Sequence, residues 1–266
     1  MDEKVGTISS AIKDMSSGLR MYHVWIALAH EDIGDQHRRT TLGPLWLLIN
    51  YLAFAGTFIF VINRGDASSL NYAAYVAAGL LVWFYIMEVI TMSVTLFTRE
   101  ESFIKGTTLP LTVYVMRLFG QSVVRAAYAA AGCLAILFLS GVYPSVYWLA
   151  SIAGLFLILI TTPAAILLFA FSGAYFPDSQ FIVSNLMRIG MFLTPVFWTY
   201  QGSGGLRHLF YYWNPFTYFL EIVRMPIVSD VVPFHAFAVC LSISLLLWGT
   251  ALTLLGKLRQ QVVFMV

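Results

Sequence analysis

The chain has 266 residues, 59% of them hydrophobic and only 11% charged, with a formal net charge of +2. An ordinary soluble domain carries roughly 25% charged residues. The composition therefore excludes a water-soluble globular protein and points to an integral membrane protein, while so small a net charge gives no ground for nucleic-acid binding.

Residues 1–43 are polar or mixed, so the N-terminus does not read as a cleavable signal peptide. Within this leader, residues 21–39 mix Trp25, Ile26, Leu28 and Ile33 with charges, which predicts a helix lying in the membrane interface. Six nearly uncharged runs follow: 44–62, 72–97, 125–142, 146–171, 182–198 and 234–256. Each is long enough to cross most or all of the roughly 30 Å of hydrocarbon, predicting an all-α fold with six transmembrane helices.

Lys and Arg set the orientation. The leader carries Lys4, Lys13, Arg20, Arg38 and Arg39, the second connection Arg99, Lys105 and Arg117, and the 257–266 tail Lys257 and Arg259. The alternate connections hold only Arg64, then none, then Arg207 and Arg224. The positive-inside rule puts both termini in the cytoplasm. In the second connection, Thr98 and Glu101 have capping-box spacing and Gly106 reads as a stop, which predicts a short cytoplasmic helix. Arg117, Gln121 and Arg125 then recur every four residues and share one helix face.

The outer loop, 199–233, opens with the glycine turn GSGG (202–205), continues as LFYYWNPFTYF (209–219) and ends in apolar pieces cut by Pro226 and Pro233. Those pieces are too short to cross, so a re-entrant helix pair is expected, with its corner at Asn214-Pro215. Cys133 and Cys240 sit in apolar runs without metal or disulfide spacing. No phosphate loop, HExxH or GxSxG motif is present. Glu88, in WFYIMEVITM, is the one carboxylate deep in a span: a candidate functional acid, or a group bonded to a neighbouring helix. The cluster AAYAAAG (126–132) permits close helix approach.

Three tracts occur in the right order and topological places: RRTTLGPLW (38–46), FLTPVFW (192–198) and WNPFTYFLEIVRMPI (213–227). Together they resemble the permease subunits of ABC type-2 polysaccharide exporters, and most of all those for O-antigen and related lipid-linked glycans. The resemblance covers nearly the whole chain. It implies a homodimer of permeases in the bacterial cytoplasmic (inner) membrane, with two separately encoded ATPase subunits that bind ATP and Mg. This chain itself would hold no cofactor.

It also implies that the short helix is a coupling helix docking on the ATPase through Arg99, Glu100, Glu101, Phe103 and Lys105. The leader, with Trp25, Arg38 and Arg39, would flank the side from which substrate enters. Gln36 and His37, and Pro177 in YFPDS (175–179), depart from the family pattern, and the second cytoplasmic loop carries no cation.

A sliding polymer suits aromatic faces, which stack on the C–H face of a sugar without demanding one hydrogen-bond pattern. Phe197, Trp198 and Tyr200 are thus expected to line or gate the exit with Tyr211, Tyr212 and Trp213, and Pro195 to let the fifth helix bend. The plainer reading is an interfacial Trp/Tyr belt. Two rivals remain open: a type-2 exporter of a small hydrophobic drug or lipid, and an intramembrane glycosyl- or phospho-transferase that depends on an acid such as Glu88.

Overall fold

The structure is a computed structural model describing residues 2–62, 69–200, 202, 205–259 and 261–262. Arg64, Ser203, Gly204 and the Lys4 side chain lie outside the described set, as do residues 263–266 of the tail. The chain forms α1 (Asp2–Arg20), α2 (Tyr22–His37), α3 (Leu45–Ile62), α4 (Ser69–Val94), α5 (Leu96–Arg99) and α6 (Glu101–Gly106). There follow α7 (Leu111–Leu139), α8 (Trp148–Tyr175), α9 (Ser179–Leu193), α10 (Leu206–Tyr212), α11 (Pro215–Val228) and α12 (Phe234–Leu258).

By length and composition, four stretches can cross a membrane: Tyr72–Val94, Leu111–Leu139, Trp148–Tyr175 and Phe234–Leu258. The other two expected crossings are shorter. Leu45–Val61 is apolar but brief, and α9 has 15 residues, or roughly 22 Å at helical rise. Proline sets the end of α9. The residue before a proline is driven out of the helical region, and Thr194 is extended (φ −79°, ψ 143°). Pro195 therefore terminates the fifth apolar helix, where the sequence predicts a bend.

The third apolar helix begins at Leu111, well ahead of residue 125, because α1 supplies its cap. The Asp14 carboxylate accepts the Thr112 backbone N–H at 3.2 Å and the Thr112 hydroxyl at 2.7 Å. An anionic cap at a helix start satisfies an orphan donor and favours the helix dipole. By contrast, the expected capping box at Thr98 is not formed. Thr98 lies inside α5, and Glu100 precedes α6 with no side-chain cap bond, its two carboxylate oxygens being taken by Arg99 and Arg117.

The centre is α4, with 72% of its apolar stretch buried against 22% for α7 and for α12. Glycine lets the neighbours close on it. A Cβ on Gly173 of α8 would overlap the Val94 carbonyl at the end of α4, and one on Gly154 would lie 2.7 Å from the Ile222 oxygen of α11. In AAYAAAG, a Cβ on Gly132 would meet Tyr51 of α3 at 2.7 Å, so that small-residue cluster serves packing. Tyr51 donates to the Ala77 carbonyl at 2.7 Å, and Thr161 to the Ser244 hydroxyl at 2.9 Å, pinning helices across apolar surroundings. Cys133 and Cys240 are free and buried. Large apolar side chains such as Leu139, Phe156 and Leu246 point outward, as a lipid-facing surface requires.

Gly173→Ala is expected to lower the yield of monodisperse protein and its thermal midpoint in detergent, costing at least about 1–3 kcal/mol through overpacking. Gly249→Ala, where an added Cβ meets nothing within 4 Å, is the neutral control. A Gly173→Ala protein as stable as the parent would contradict the α4–α8 packing.

Candidate functional site

Two polar assemblies stand at opposite ends of the apolar bundle. The first grows from the shared face of α7. Arg117 grips Asp32 of α2 with two nitrogens, Nε to Oδ2 at 2.6 Å and Nη2 to Oδ1 at 2.7 Å. Its remaining terminal nitrogen, Nη1, donates to Glu100 Oε2 at 2.6 Å. Gln121 also donates to Asp32, and Arg125 donates to the Gln121 side-chain oxygen at 2.9 Å and to that of Gln36 at 3.4 Å. Arg125 Nε lies 2.9 Å from Glu88 Oε1. Arg99 completes the set, 3.3 Å from Glu100.

This chain of groups joins α2, α4, the α5–α6 turn and α7. Side chains of Arg117 and Glu100 are only 12% and 6% exposed, so the charges sit where water screens them little. A buried guanidinium is tolerable only with its donors satisfied, and bidentate carboxylate pairing is the strongest way to do so. Glu88 accordingly is not a solitary acid: its partner is Arg125 on the adjacent helix.

Of the residues predicted for the short helix, Arg99, Glu101, Phe103 and Lys105 are exposed, and Lys105 pairs with Glu101 at 2.6 Å. Glu100 instead turns inward to Arg117, so it positions the helix and does not present a docking surface. Phe103 is 49% exposed, with the Arg117 guanidinium 5.7 Å from its ring centre. Trp25 packs beside Gly120 of α7, while Arg38 and Arg39 are exposed, Arg38 lying 3.7 Å from Asp35.

The second assembly holds the turn after α9. Tyr75 donates to the carbonyls of Pro195 (3.1 Å) and Trp198 (2.9 Å), and Tyr72 to that of Phe197 (2.9 Å). Arg224 of α11, 3% exposed, donates to the Pro195 carbonyl at 2.5 Å while lying 3.7 Å from the centre of the Tyr75 ring. That distance is a cation–π contact. Asn214 caps α11 by accepting the Phe216 N–H at 3.0 Å and donates to Thr194 at 2.7 Å, which ties the α10–α11 corner to the same turn.

The rings of the aromatic block divide by environment. Tyr200 stacks on Tyr211 with centres 4.8 Å apart, Tyr212 meets both edge-on, and the Tyr200 hydroxyl is 2.6 Å from His208 Nδ1. Tyr211 donates to Glu221. Burial, and then that carboxylate, push the Tyr211 phenol above its usual range, so it stays a donor. Phe197 stacks on Phe58 of α3 at 4.1 Å, Phe216 meets Trp83 edge-on, and Phe219 is buried. Trp213 is 80% exposed and, with Phe210 and Asn214, borders a crevice of about 600 Å³ between α4, α8 and α9.

Tyr72, Tyr75 and Arg224, with Asp32 and Gln121 at the other end, are functional candidates that a motif search misses. Their signal is faint but present: an arginine inside an apolar run, and two tyrosines three apart on one helix face.

A bundle of apolar helices with a charged brace at one end and an aromatic turn at the other is the architecture of a multi-pass membrane protein. Residues 23–228 match the ABC-2 type transporter family, most of the chain's length, and the chain belongs to that family, whose members are transport subunits. Among characterised proteins it is similar to two forms of the O-antigen export system permease protein RfbA of Klebsiella pneumoniae. One is 22% identical over 178 residues and the other 23% over 181, each alignment covering 66% of this chain and 69% of the relative.

Glu88→Gln is expected to leave Arg125 buried beside a neutral partner and to lower stability by roughly 1–3 kcal/mol in detergent unfolding. Adding Arg125→Met to that variant should recover part of the loss, since removing both partners costs less than removing one. A double variant no better than the single one would show that the two groups do not depend on each other.

Proposed function

We propose that this chain is the permease subunit of an ATP-driven exporter that moves a lipid-linked polysaccharide, of the O-antigen or capsule type, across the bacterial cytoplasmic membrane. Two copies form the pathway as a homodimer, both termini face the cytoplasm, and two separate ATPase subunits bind ATP with Mg. The observation that carries the reading is the chain of ion pairs and hydrogen bonds from Glu100 through Arg117, Asp32 and Gln121 to Arg125 and Glu88. A displacement applied at the exposed face of α5 and α6 is carried by these bonds into α2, α7 and the central α4. Arg99, Glu101, Phe103 and Lys105 form the docking face, and Glu100 anchors it from behind.

The glycan class is supported by the two relatives being O-antigen export permeases and by ring surface left exposed at the other end of the bundle, Trp213 above all. Tyr212 and Trp198 are assigned to the same outer mouth. Tyr200 and Tyr211 are engaged with one another and shape the opening.

The test is glycan export in a strain lacking the chromosomal gene and carrying variants on a plasmid. Deletion should leave glycan accumulating inside the cell. Trp213→Ala should lower export of a long glycan roughly two- to tenfold, the range a lost stacking contact implies. Loss of glycan synthesis with no internal accumulation would favour the transferase, and unchanged glycan export in the deletion strain would favour a small hydrophobic substrate.

A further inference from the structure

A polar cleft of about 420 Å³ opens between α1, the 107–110 linker that joins α6 to α7, and the end of α12. Lys13, Asp14 and Ser17 form one wall, Thr107 and Thr108 a second, and Arg259 a third. The single carboxylate is already committed, since Asp14 accepts both the N–H and the hydroxyl of Thr112. Arg259 donates from one nitrogen, Nη1, to the Ser10 carbonyl at 3.2 Å. Its other guanidinium nitrogens have no acceptor among the described residues, nor do Lys13 and the hydroxyls of Ser17 and Thr108 have partners there. The cleft thus presents two cations and two hydroxyls with a surplus of donors, and among the described residues no acid lines it except Asp14, which is turned toward α7.

Such a set matches a compact, oxygen-rich anion, to which ammonium, guanidinium and hydroxyl groups all donate. The helix that forms the first wall indicates where the anion comes from. On α1, Ile8, Ile12 and Leu19 are exposed and fall on one helical face, while Lys13 and Arg20 fall on its flank. An apolar stripe bordered by cations is the pattern of a helix sunk in the interface, with its basic flank at the level of lipid phosphates. We propose that this cleft binds the phosphate of an anionic phospholipid, bridging α1, the linker behind α6 and the end of α12. It rests on the orientation given under Proposed function only for the leaflet, which is the cytoplasmic one, and not on what is transported.

The site is tested with the full chain in phosphatidylcholine vesicles, measuring association of spin-labelled phosphatidylglycerol against spin-labelled phosphatidylcholine. The parent should prefer phosphatidylglycerol, and the Lys13→Gln/Arg259→Gln double variant should lose on the order of tenfold of that preference. The charge-keeping pair Lys13→Arg/Arg259→Lys should retain it, which separates lost charge from lost folding. No preference in the parent, or an equal preference in the glutamine variant, would overturn the proposal. A second arm titrates inorganic phosphate in vesicles without phosphatidylglycerol. Phosphate binding there that the glutamine variant abolishes, with no lipid preference in the first arm, would overturn the lipid as occupant in favour of a soluble phosphate.

Discussion

The arrangement rests on a positive charge that cannot be left unpaired. Arg117 stands on α7 with its side chain 12% exposed, where an unmatched guanidinium would cost several kcal/mol. Asp32 and Glu100 answer it from two different segments, α2 and the turn before α6. Satisfying one side chain therefore fixes where α2 and α6 lie against α7. Removing one partner of such a buried pair typically costs about 3–5 kcal/mol, a large share of the roughly 5–15 kcal/mol by which folded domains are stable.

The far end repeats the logic with different chemistry. Arg224 is buried as deeply, but its ligands are a backbone carbonyl and a tyrosine face. Proline makes this available: by ending α9 it frees carbonyls in the 194–198 turn, and Arg224, Tyr72 and Tyr75 take them up. The two ends are joined physically by α4, 26 residues or roughly 39 Å long, which carries Tyr72 and Tyr75 near its start and Glu88 near its end. Glycines at 154 and 173 let α8 close on α11 and on the end of α4, so little slack is left around that rod. A stiff central helix, anchored at each end by a different arginine, suits a subunit that must relate events at one membrane face to those at the other.

Much of this was legible in the sequence because hydrophobic runs and breakers act locally. The membrane class, the apolar segments, the corner at Asn214-Pro215 and the common face of Arg117, Gln121 and Arg125 follow from composition and helical spacing. What was hidden depends on partners distant in sequence. Asp14 caps a helix that begins 97 residues later, at Leu111, so the helical spacing of Arg117, Gln121 and Arg125 is legible locally but the group that caps its start is not. Glu100 reads as a surface acid in a charged loop until Arg117 is seen behind it. Pro195 carries the same local rule whether a helix bends or stops, and the donors waiting on α4 and α11, Tyr75 and Arg224, decide for stopping by taking up the freed carbonyl.

The central claim is that Asp32 and Arg117 act as one unit. A double-mutant cycle with Asp32→Asn and Arg117→Gln, read by equilibrium unfolding of the full chain in detergent micelles, measures it directly. The account predicts that the two losses are far from additive, with a coupling of at least about 1 kcal/mol. Losses that simply add would contradict it, because the guanidinium would then owe its place on α7 to something other than the carboxylate of α2.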